Sequence, residues 1–379
     1  MISPSPELRR PAVLIFGGGA GMRSLREKRD LDARMAAMDS PMRPIVRPTI
    51  RDVSRVAEVS IKTVSRVINN ERYVSGEIRA RVQQVMAEMS FQPSSAARAL
   101  AGHRSHQIAI ICDNPNPWYV YEVQLGTRAR CQRDGVRMIA QPYDRESPTM
   151  LDDIVDLVDQ VHPDGLVLTP PACDDVRVLK ELARRRVPFV RVQPGTLLAM
   201  TSSVFIDNEQ AAFEMTRHLL ELGHRRIGFI IGDRGYAASE HRLNGYARAL
   251  AEAGLRLDVE LVQQGRFDFG SGAAATETLL ALTNRPTAIF ASNDDMAAGA
   301  LATAHRLGVS VPEALSVAGF DDTAFASIVW PALTTIRQPV RVLAEAAADL
   351  LLAPPAAIEA RQIPHELVVR DSTGAVKHS

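Results

Sequence analysis

Cysteine is scarce in this sequence of 379 residues. Only Cys112, Cys131 and Cys173 are present, they lie far apart, and none belongs to a CxxC pair or has His-rich neighbours. Disulfide scaffolds and zinc sites need larger or more closely spaced sets of such residues. The sequence therefore predicts neither a disulfide framework nor a metal site, and its cysteine usage fits a reducing cytoplasm.

Long hydrophobic runs are also lacking. The strongest apolar stretch, residues 12–20, is rich in glycine and falls well short of the ~20 residues needed to cross a bilayer. It follows two arginines, as the core of a signal peptide would, but its apolar part is weak. We therefore expect no membrane association and a cytoplasmic protein.

Enzyme motifs are the third absence. The chain has no GxSxG or HExxH, and its nine histidines are scattered. The glycines at Gly17–Gly21 suggest a nucleotide loop, but no Lys-Ser follows them and Met22 interrupts the GxGxxG pattern. We expect no enzyme and no cofactor, and we interpret residues 1–47 as a disordered extension.

The length and the distribution of charge point to separate domains. A chain of this size is too long for one ordinary core and predicts two or three domains. Residues 1–105 carry 18 Lys and Arg against 10 Asp and Glu, whereas residues 106–379 carry 26 against 34. Because Lys and Arg neutralise phosphates, this asymmetry favours a polyanion-binding head on an acidic body.

Helical signals begin at Thr49. Thr49 and Asp52 form a capping-box-like start to a helix that runs to about Ala57, and Ser60 can cap a second helix over Ile61–Asn69. The helical period of the second helix divides its side chains into an apolar inner set and a polar outer set. These sets are Val64, Val67 and Ile68 inside, and Lys62, Ser65, Arg66 and Asn69 outside.

A third helix begins at Ser75, and its buried stripe is predicted at Ile78, Val82, Val85 and Met89. Two helices joined by a short turn, with a polar and cationic second helix, match the requirements of a helix-turn-helix that reads the major groove. Lys62 and Arg66 would then reach guanine edges or phosphates. The alternative is a small three-helix bundle whose polar face is merely solvated.

The literal sequence favours the first interpretation. The stretch PTIRDVSRVAEVSIKTVSRVINN, and with it the chain as far as residue 102, resembles the DNA-binding head of the lactose-repressor (LacI/GalR) family. The resemblance implies an all-α helix-turn-helix domain over residues 48–93. The implied DNA-contacting residues of this domain are Thr49, Ile61, Lys62, Thr63, Ser65, Arg66 and Asn69. Glu58 departs from the family, which usually has glycine in this turn.

The alanine-rich segment after Pro93 resembles the hinge helix of the same family. We therefore assign residues 94–106 to a hinge helix and linker, in which Ser94, Ala97 and Leu100 contact DNA. By the resemblance, Leu100 would wedge between base steps in the minor groove. Taken alone, the segment is simply a linker helix.

From Gln107 onward, short apolar strands alternate with helical stretches, which is the pattern of doubly wound parallel sheets. We expect two sheets of about five strands each, with helices capped by Asn208 and Asn293. The predicted strands are 108–112, 137–140, 165–168, 189–192, 227–231, 288–290 and 316–318.

Ligands of such sheets bind at the carboxyl ends of the strands. The polar residues there are Asp113, Asn114, Asn116, Thr169, Asn293, Asp294 and Asp321. Asn and Asp are also favoured at helix caps and turns, so a structural role is the alternative for each of them. Only their joint placement suggests a site.

The body likewise resembles the lactose-repressor family and the periplasmic sugar-binding proteins, through GHRRIGFI, HRLNGYARAL, FASNDDMAAGAL and LTTIRQP. The resemblance implies an α/β periplasmic-binding-protein-like body of two doubly wound parallel-sheet subdomains over residues 107–379, which binds an effector and dimerises. The implied effector-binding residues are Asn116, Trp118, Tyr119, Thr169, Arg242, Phe267, Asn293 and Asp321. Arg and Asp suit sugar hydroxyls and an aromatic face covers the C–H side of a sugar ring, but the same set also suits a nucleobase.

Three functions follow from these features. The first is a repressor that binds a palindromic double-stranded operator as a homodimer or a tetramer and responds to a small effector, a sugar or sugar derivative. The second is a free sugar-binding receptor, which would need a signal peptide and no head. The third is an enzyme on a Rossmann-like fold, which would rest on Gly17–Gly21 or on the body cleft. The head favours the first.

Overall fold

The computed structural model describes residues 48–68, 71–91, 104–114 and 116–376. The described residues fall into two compact units, one on each side of the boundary between Gln92 and Pro93. The proposed extension over residues 1–47 lies outside the described residues.

Within its described residues, the first unit contains three helices: α1 (Ile50–Val56), α2 (Ile61–Ile68) and α3 (Gly76–Glu88). The capping box at Thr49 and Asp52 is present, and Ser75 caps α3 by accepting the N–H of Ile78. Glu58, in the turn between α1 and α2, has φ of 54°. A side chain in this left-handed region is mildly strained, which is the cost expected where glycine is absent.

A single apolar cluster holds these helices together, and its fully or nearly fully buried members are Val53, Ala57, Val64, Val67, Val82 and Val85. Ile78 and Met89 pack against this cluster from partly buried positions. The predicted inner faces of α2 and α3 are therefore confirmed. Because burial of each valine contributes about 1.5–3 kcal/mol, a polar residue at Val64 would destabilise the unit.

The second unit contains a six-stranded sheet, in which β1 is paired in parallel with both β2 and β3. Ile110 of β1 lies opposite Ala140 of β2 and Val167 of β3. In spatial order the strands are β11 (Ala360–Gln362), β5 (Ser203–Phe205), β4 (Phe189–Val192), β3 (Gly165–Leu168), β1 (Gln107–Cys112) and β2 (Arg137–Pro142).

A four-stranded parallel sheet follows, together with an antiparallel pair. Phe229 lies opposite Phe290 in the centre of the four-stranded sheet. Its spatial order is β7 (Val262–Gln264), β6 (Ile227–Ile231), β8 (Ala288–Ala291) and β9 (Ser316–Ala318), and the pair is β10 (Thr335–Arg337) with β12 (Glu366–Val368). The expected two parallel sheets are confirmed, and where about five strands each were expected, the sheets have six and four.

Helices cover both sheets, and the central strands are buried along their length, as parallel sheets require. The helices are α4 (Pro117–Arg133), α5 (Met150–Val161), α6 (Val176–Arg185), α7 (Asn208–Glu221), α8 (Ala237–Glu252), α9 (Phe269–Leu280), α10 (Asp294–Arg306) and α11 (Val340–Leu352). We call the six-stranded sheet with α4–α6 and α11 the first lobe, and the four-stranded sheet with α7–α10 the second lobe.

Two predicted helix caps have different outcomes. Asn293 caps α10 by accepting the N–H of Met296, as predicted. The cap of α7, however, is Asp207, which accepts the N–H of Gln210, and Asn208 is the first helical residue. The prediction for Asn208 was wrong because its side chain is turned into the protein, where it accepts a hydrogen bond from Arg242. Within the described ranges, no helix is both long enough and apolar enough to span a membrane.

Candidate functional site

The outer face of α2 carries most of the described DNA-contact candidates. Ile61 and Lys62 open the helix and are exposed, with 45% of the surface of Ile61 accessible. Thr63, Ser65 and Arg66 are partly exposed on the same helix. The face therefore combines hydroxyl groups, two cations and one exposed aliphatic side chain, which is a composition suited to base edges and phosphates.

Local hydrogen bonds fix the start of α2. The Ser60 hydroxyl accepts the N–H of Thr63 at 3.1 Å and also contacts the Thr63 hydroxyl at 2.9 Å. The guanidinium of Arg66 lies 3.6 Å from the carboxylate of Glu71.

Thr49, at the start of α1, donates its hydroxyl to Asp52 at 2.7 Å, so its capping role and its proposed DNA contact involve the same group. Asn69, Ser94, Ala97 and Leu100 lie outside the described residues.

A cavity lies between the two lobes of the second unit, with an empty volume of about 450 Å³ that includes its open mouth. Six of the eight predicted effector-binding residues line it: Asn116, Tyr119, Arg242, Phe267, Asn293 and Asp321. The sequence thus predicted residues that lie up to 205 positions apart in the chain and whose side chains line the same cavity. Two predicted residues are placed differently.

Thr169 and Trp118 do not line this cavity. Thr169 is fully buried, and its hydroxyl donates to the carbonyl of Ile111 at 3.1 Å, which ties β3 to β1. Trp118 lies at the start of α4 and lines a neighbouring cavity instead. Its side chain remains accessible, whereas that of Thr169 is already engaged.

Arg242 is the only buried cation on the wall of the cavity among the described lining residues. Its Nε donates to the Asn208 side-chain oxygen at 2.9 Å, and Nη1 donates to the carbonyl of Ser292. The guanidinium carbon stands 3.5 Å from the centroid of the Phe320 ring, so its flat face is covered. Burial lowers the pKa of Arg242 to about 10, which leaves the group charged at neutral pH.

Asp321 faces this cation. Its Oδ1 lies 4.0 Å from Nη2 of Arg242 and accepts a hydrogen bond from Gln338 at 3.4 Å. Burial raises the pKa of Asp321 well above its ordinary value, although the charge of Arg242 opposes this rise. The backbone of Asp321 has φ of 113°, a region that a side chain rarely adopts. Strain of this kind is concentrated at functional sites, where the surrounding structure holds it.

Asp294 supports the loop that carries Asp321. Its carboxylate accepts the N–H and the hydroxyl of Thr323 at 2.7 and 3.0 Å, and the hydroxyl of Thr335 at 2.6 Å. Burial raises the pKa of Asp294 to about 7. Asp294 therefore has a structural role, although the sequence had also suggested it as a candidate contact.

Asn293 and Phe267 form the wall of the second lobe. Asn293 caps α10 and donates its amide to the carbonyl of Phe267 at 3.0 Å. This bond holds Phe267 at φ of 63°, with its ring edge-on to Tyr236 at a centroid distance of 5.4 Å. The ring also excludes any side chain at Gly232, where a Cβ atom would lie 2.0 Å from it.

Asn116 joins the two lobes. Its side-chain oxygen caps α4 by accepting the N–H groups of Trp118 and Tyr119, and its amide donates to the carboxylate of Asp295 in the second lobe at 2.7 Å. Burial raises the pKa of Asp295 to about 6, and the charge of Asp268 adds to the rise. A ligand in the cavity would contact Asn116, which already bridges both lobes.

Two further contacts cross the cleft. Arg145, after β2, forms an ion pair of 2.8 Å with Asp233, after β6, and its guanidinium lies 5.8 Å from the ring centroid of Tyr236. Tyr236 in turn donates its hydroxyl to the carbonyl of Asp113 at 3.2 Å. The lobes are therefore held together at the edge of the cavity by polar groups, which can separate without exposing a large apolar surface.

Sequence reasoning missed two glutamines and a tyrosine on the cavity wall. Gln193 and Gln338 line it and bond to each other at 2.7 Å, and Tyr236 lies just before α8. Gln193 follows directly after the parallel strand β4, so the rule that ligands bind at the carboxyl ends of parallel strands would have found it. Gln338 follows β10 of the antiparallel pair, which this rule does not cover. Among the residues that the structure covers, no group of His, Cys, Asp and Glu could hold a metal ion.

Comparisons with known proteins agree with this architecture. Residues 49–94 match the family model described as bacterial regulatory proteins of the lacI family, and residues 216–373 match a periplasmic binding protein-like domain. The HTH-type transcriptional regulator DegA of Bacillus subtilis is 36% identical over 337 residues, covering 86% of this chain and 98% of the relative. The ribose operon repressor of Haemophilus influenzae is 32% identical, covering 80% and 91%.

Solved structures give the same result. The lac repressor dimer bound to operator and the anti-inducer ONPF is 28% identical, with a TM-score of 0.77, covering 86% of this chain and 99% of that one. A complex of the transcriptional regulator CelR with cellobiose is 29% identical, with a TM-score of 0.66 and coverage of 86% and 100%. The chain therefore belongs to the lacI family of bacterial regulatory proteins and is a DNA-binding transcriptional regulator with a helix-turn-helix head and a periplasmic-binding-protein-like body.

Proposed function

We propose that this regulator is a repressor that acts in the cytoplasm, binds a palindromic operator as a homodimer through α2, and is controlled by a sugar bound between its two lobes. The observation that carries the proposal is the buried pair of Arg242 and Asp321 on the wall of the cavity, beside Asn293 and Phe267. We propose a regulator and not an enzyme, because the described cavity offers binding groups without a paired nucleophile and base.

The head supports the proposed binding of an operator. The proposed domain spans residues 48–93, and the proposed hinge spans residues 94–106. Lys62 and Ile61 would set the operator sequence because they open α2, where side chains reach base edges in helix-turn-helix proteins. Arg66 would contribute mainly to phosphate binding, for which its guanidinium would exchange Glu71 as its anionic partner.

The cavity supports the proposed binding of a sugar. The free edge of the Arg242 guanidinium and the Asp321 carboxylate can each engage two neighbouring hydroxyl groups, while the Phe267 ring can cover the apolar side of a sugar ring. The related protein from Haemophilus influenzae is named as a ribose operon repressor, and the CelR structure contains cellobiose. Both names agree with a sugar as the ligand that we propose for this chain.

The proposed control follows from the contacts between the lobes. A ligand that binds both walls favours the closed arrangement of the lobes, and a change in closure would be transmitted to the hinge, where Ser94, Ala97 and Leu100 lie. Whether closure releases the protein from DNA or strengthens its binding depends on which arrangement the hinge favours.

The test combines two measurements on the full chain. Fragments of the source genome that the purified protein retains would be sequenced and footprinted, and a panel of sugars and nucleobases would be screened by thermal shift. We expect a symmetric footprint and a stabilising sugar that changes operator affinity. Stabilisation by nucleobases alone would overturn the sugar class. Catalytic turnover that survives deletion of residues 48–102, or recovery of the protein from the periplasm, would favour the enzyme or the receptor instead.

A further inference from the structure

One carboxylate holds the linker at the point where it joins the body. The described part of the proposed linker is residues 104–106, which come directly before β1. Ser105 is buried and donates its backbone N–H to Oδ1 of Asp164 at 2.7 Å, and its hydroxyl donates to the same oxygen at 3.1 Å. The other oxygen, Oδ2, lies 3.5 Å from Nε of Arg104. Asp164 therefore binds the linker through both of its carboxylate oxygens.

Backbone hydrogen bonds fix the position of Asp164 itself. Its N–H donates to the carbonyl of Gln107 at 2.7 Å, and the next residue, Gly165, begins β3. On the other side of β1, the N–H of Arg137 donates to the carbonyl of His106 at 2.8 Å. The linker thus enters the sheet between β2 and β3. Because the side chain of Asp164 is only 8% exposed, its carboxylate has little freedom to follow a moving partner.

All of these contacts belong to the first lobe. Strands β1, β2 and β3 are neighbours in its six-stranded sheet. The same sheet reaches the effector cavity at the opposite ends of its strands, where Asn114 follows β1 and Pro170 follows β3. Since a strand rises about 3.3 Å per residue, β1 separates the linker from the cavity by about 20 Å. The anchor is therefore remote from the proposed effector contacts but tied to them by the central strands of one sheet.

We propose that Asp164 is a positioning residue for operator binding, which fixes the linker to the first lobe through Ser105 and Arg104. Without this anchor the linker would adopt many orientations in the free protein, and binding to DNA would have to order it. A binding-competent state that is only partly populated weakens the apparent affinity by its population. This inference rests on the proposed binding of an operator and adds a residue that belongs neither to the outer face of α2 nor to the lining of the cavity.

The direction of the effect separates an anchor from a simple change of charge. Removal of a negative charge reduces the repulsion of phosphates, so by itself it strengthens binding to DNA. Loss of the anchor should weaken binding instead. Asp159 offers the matched control, because it is also an aspartate of the first lobe and forms an ion pair of 2.6 Å with Arg185 of α6. Asp159→Ala removes the same charge without removing the contacts of the linker.

The first measurement is operator affinity of the full chain, by fluorescence anisotropy with the genomic fragments that the unaltered chain retains. Asp164→Ala should bind these fragments about 10-fold more weakly, because hydrogen bonds to a charged group are among the stronger ones. Asp164→Asn should lose less, since its amide oxygen still accepts the N–H of Ser105 while the ion pair with Arg104 is gone. Asp159→Ala should bind at least as tightly as the unaltered chain.

The second measurement reports on the anchor without DNA. Hydrogen exchange followed by mass spectrometry compares the amide of Ser105 with that of Ile110, which is fully buried in the middle of β1. In Asp164→Ala, the amide of Ser105 should exchange about 10-fold faster, whereas that of Ile110 should exchange as before. Faster exchange at both positions would show a general loss of structure in the first lobe and would contradict a local anchor.

A double-mutant cycle tests the part of Arg104. This side chain is largely exposed and carries a charge that suits a phosphate as well as Asp164. If Arg104 acts through Asp164, Arg104→Ala should weaken operator binding in the unaltered chain and add nothing in Asp164→Ala. Additive losses would show a direct contact with DNA and would contradict the anchoring role of Arg104.

The outcomes that overturn the inference differ from those that overturn the proposed function. Faster exchange at Ser105 with unchanged operator affinity would disprove the positioning role of Asp164 and leave the operator intact. Unchanged exchange at Ser105 would disprove the anchor. If the chain retains no genomic fragment, the proposed function fails, and the exchange at Ser105 still decides whether the anchor exists. If Asp164→Ala does not fold, Asp164→Asn is compared with Asp159→Ala in both measurements.

Discussion

Arg145 and Asp233 join the two lobes by an ion pair of 2.8 Å beside the cavity, and the Arg145 guanidinium also lies over the ring of Tyr236. Arg145 follows the edge strand β2 of the first lobe, and Asp233 follows the central strand β6 of the second. Both side chains are only partly exposed, so the pair is less screened than an ordinary surface ion pair. The contact is therefore placed to favour the closed arrangement of the lobes even without a ligand.

A charge exchange tests this contact. Arg145→Asp alone should open the cleft, because two carboxylates would then face each other, and should lower the melting temperature by about 1–3 °C. Combining Arg145→Asp with Asp233→Arg should restore both the closed cleft and the original melting temperature. Small-angle X-ray scattering and thermal unfolding would measure the effect. Arg177→Asp is the control, since its partner Asp175 lies in the same lobe; an equal expansion in this variant would contradict the role of Arg145.

The DNA-reading face predicts two distinct mutant behaviours. Arg66→Ala should weaken all operator sequences about equally, by roughly 10-fold, and reduce the salt dependence of binding by about one ion, since a phosphate contact is lost. Lys62→Ala should instead change which base is preferred at one position in each half-site, with a discrimination loss of about 1–3 kcal/mol.

Fluorescence anisotropy with a set of operator variants would measure both effects. Lys180→Ala is a matched control, because it removes one exposed positive charge from α6 in the body. Unchanged affinity and unchanged base preference in the two head variants would show that another surface contacts the DNA.

Arg242 predicts a separation of functions. Arg242→Ala should abolish the effector response and leave DNA binding without effector intact, because its side chain lines the cavity in the body. It should also destabilise the body by several degrees, since Asn208 and Asp321 would lose their cationic partner. Arg248→Ala on the same helix is the control, as its contacts with Glu209 and Gln210 lie outside the cavity lining.

Thermal shift with the identified effector and operator binding would be measured for both variants. A normal thermal shift by the effector in Arg242→Ala would refute the assignment of the cavity.

The raised pKa of Asp295 predicts a change of stability with pH. Burial raises this pKa to about 6, whereas an unfolded aspartate loses its proton near pH 4. Between these values the folded state binds the additional proton, so the contribution of Asp295 to stability is present at low pH and is lost as the pH rises through about 6. Asp295→Asn cannot titrate. Its melting temperature relative to the unaltered chain should therefore rise by about 2–4 °C from pH 5 to pH 8.

Scanning calorimetry at a series of pH values would follow this difference. A difference that is constant with pH would show that Asp295 has an ordinary pKa.

Local signals in the sequence predicted the helix starts and the core of the described part of the first unit. Thr49, Asp52 and Ser75 cap the helices as their chemistry requires, and the valines at helical spacing form the core. The body was less predictable where strands are short: β5 and β11 have three residues each, which is too few for a periodic pattern, and they add the strands that make the first sheet larger than expected.

The cavity was predictable only as far as its residues follow strands or match the family. Arg242 and Asp321 were found in that way, although they meet across 79 positions of the chain. The direction of a side chain was not predictable, because it depends on partners that folding brings together. Asn208 turns inward to Arg242, and the Thr169 hydroxyl turns to Ile111 in the neighbouring strand.

The most direct test of the central claim is the selection of genomic fragments by the full chain, followed by footprinting with and without the stabilising sugar. The account predicts a twofold-symmetric site whose half-sites are about one or more helical turns apart. Arg66→Ala should bind this site about 10-fold more weakly, and the sugar should change its affinity in the unaltered chain but not in Arg242→Ala. Fragments without a shared symmetric sequence, or a site whose affinity no cavity-binding sugar alters, would contradict it.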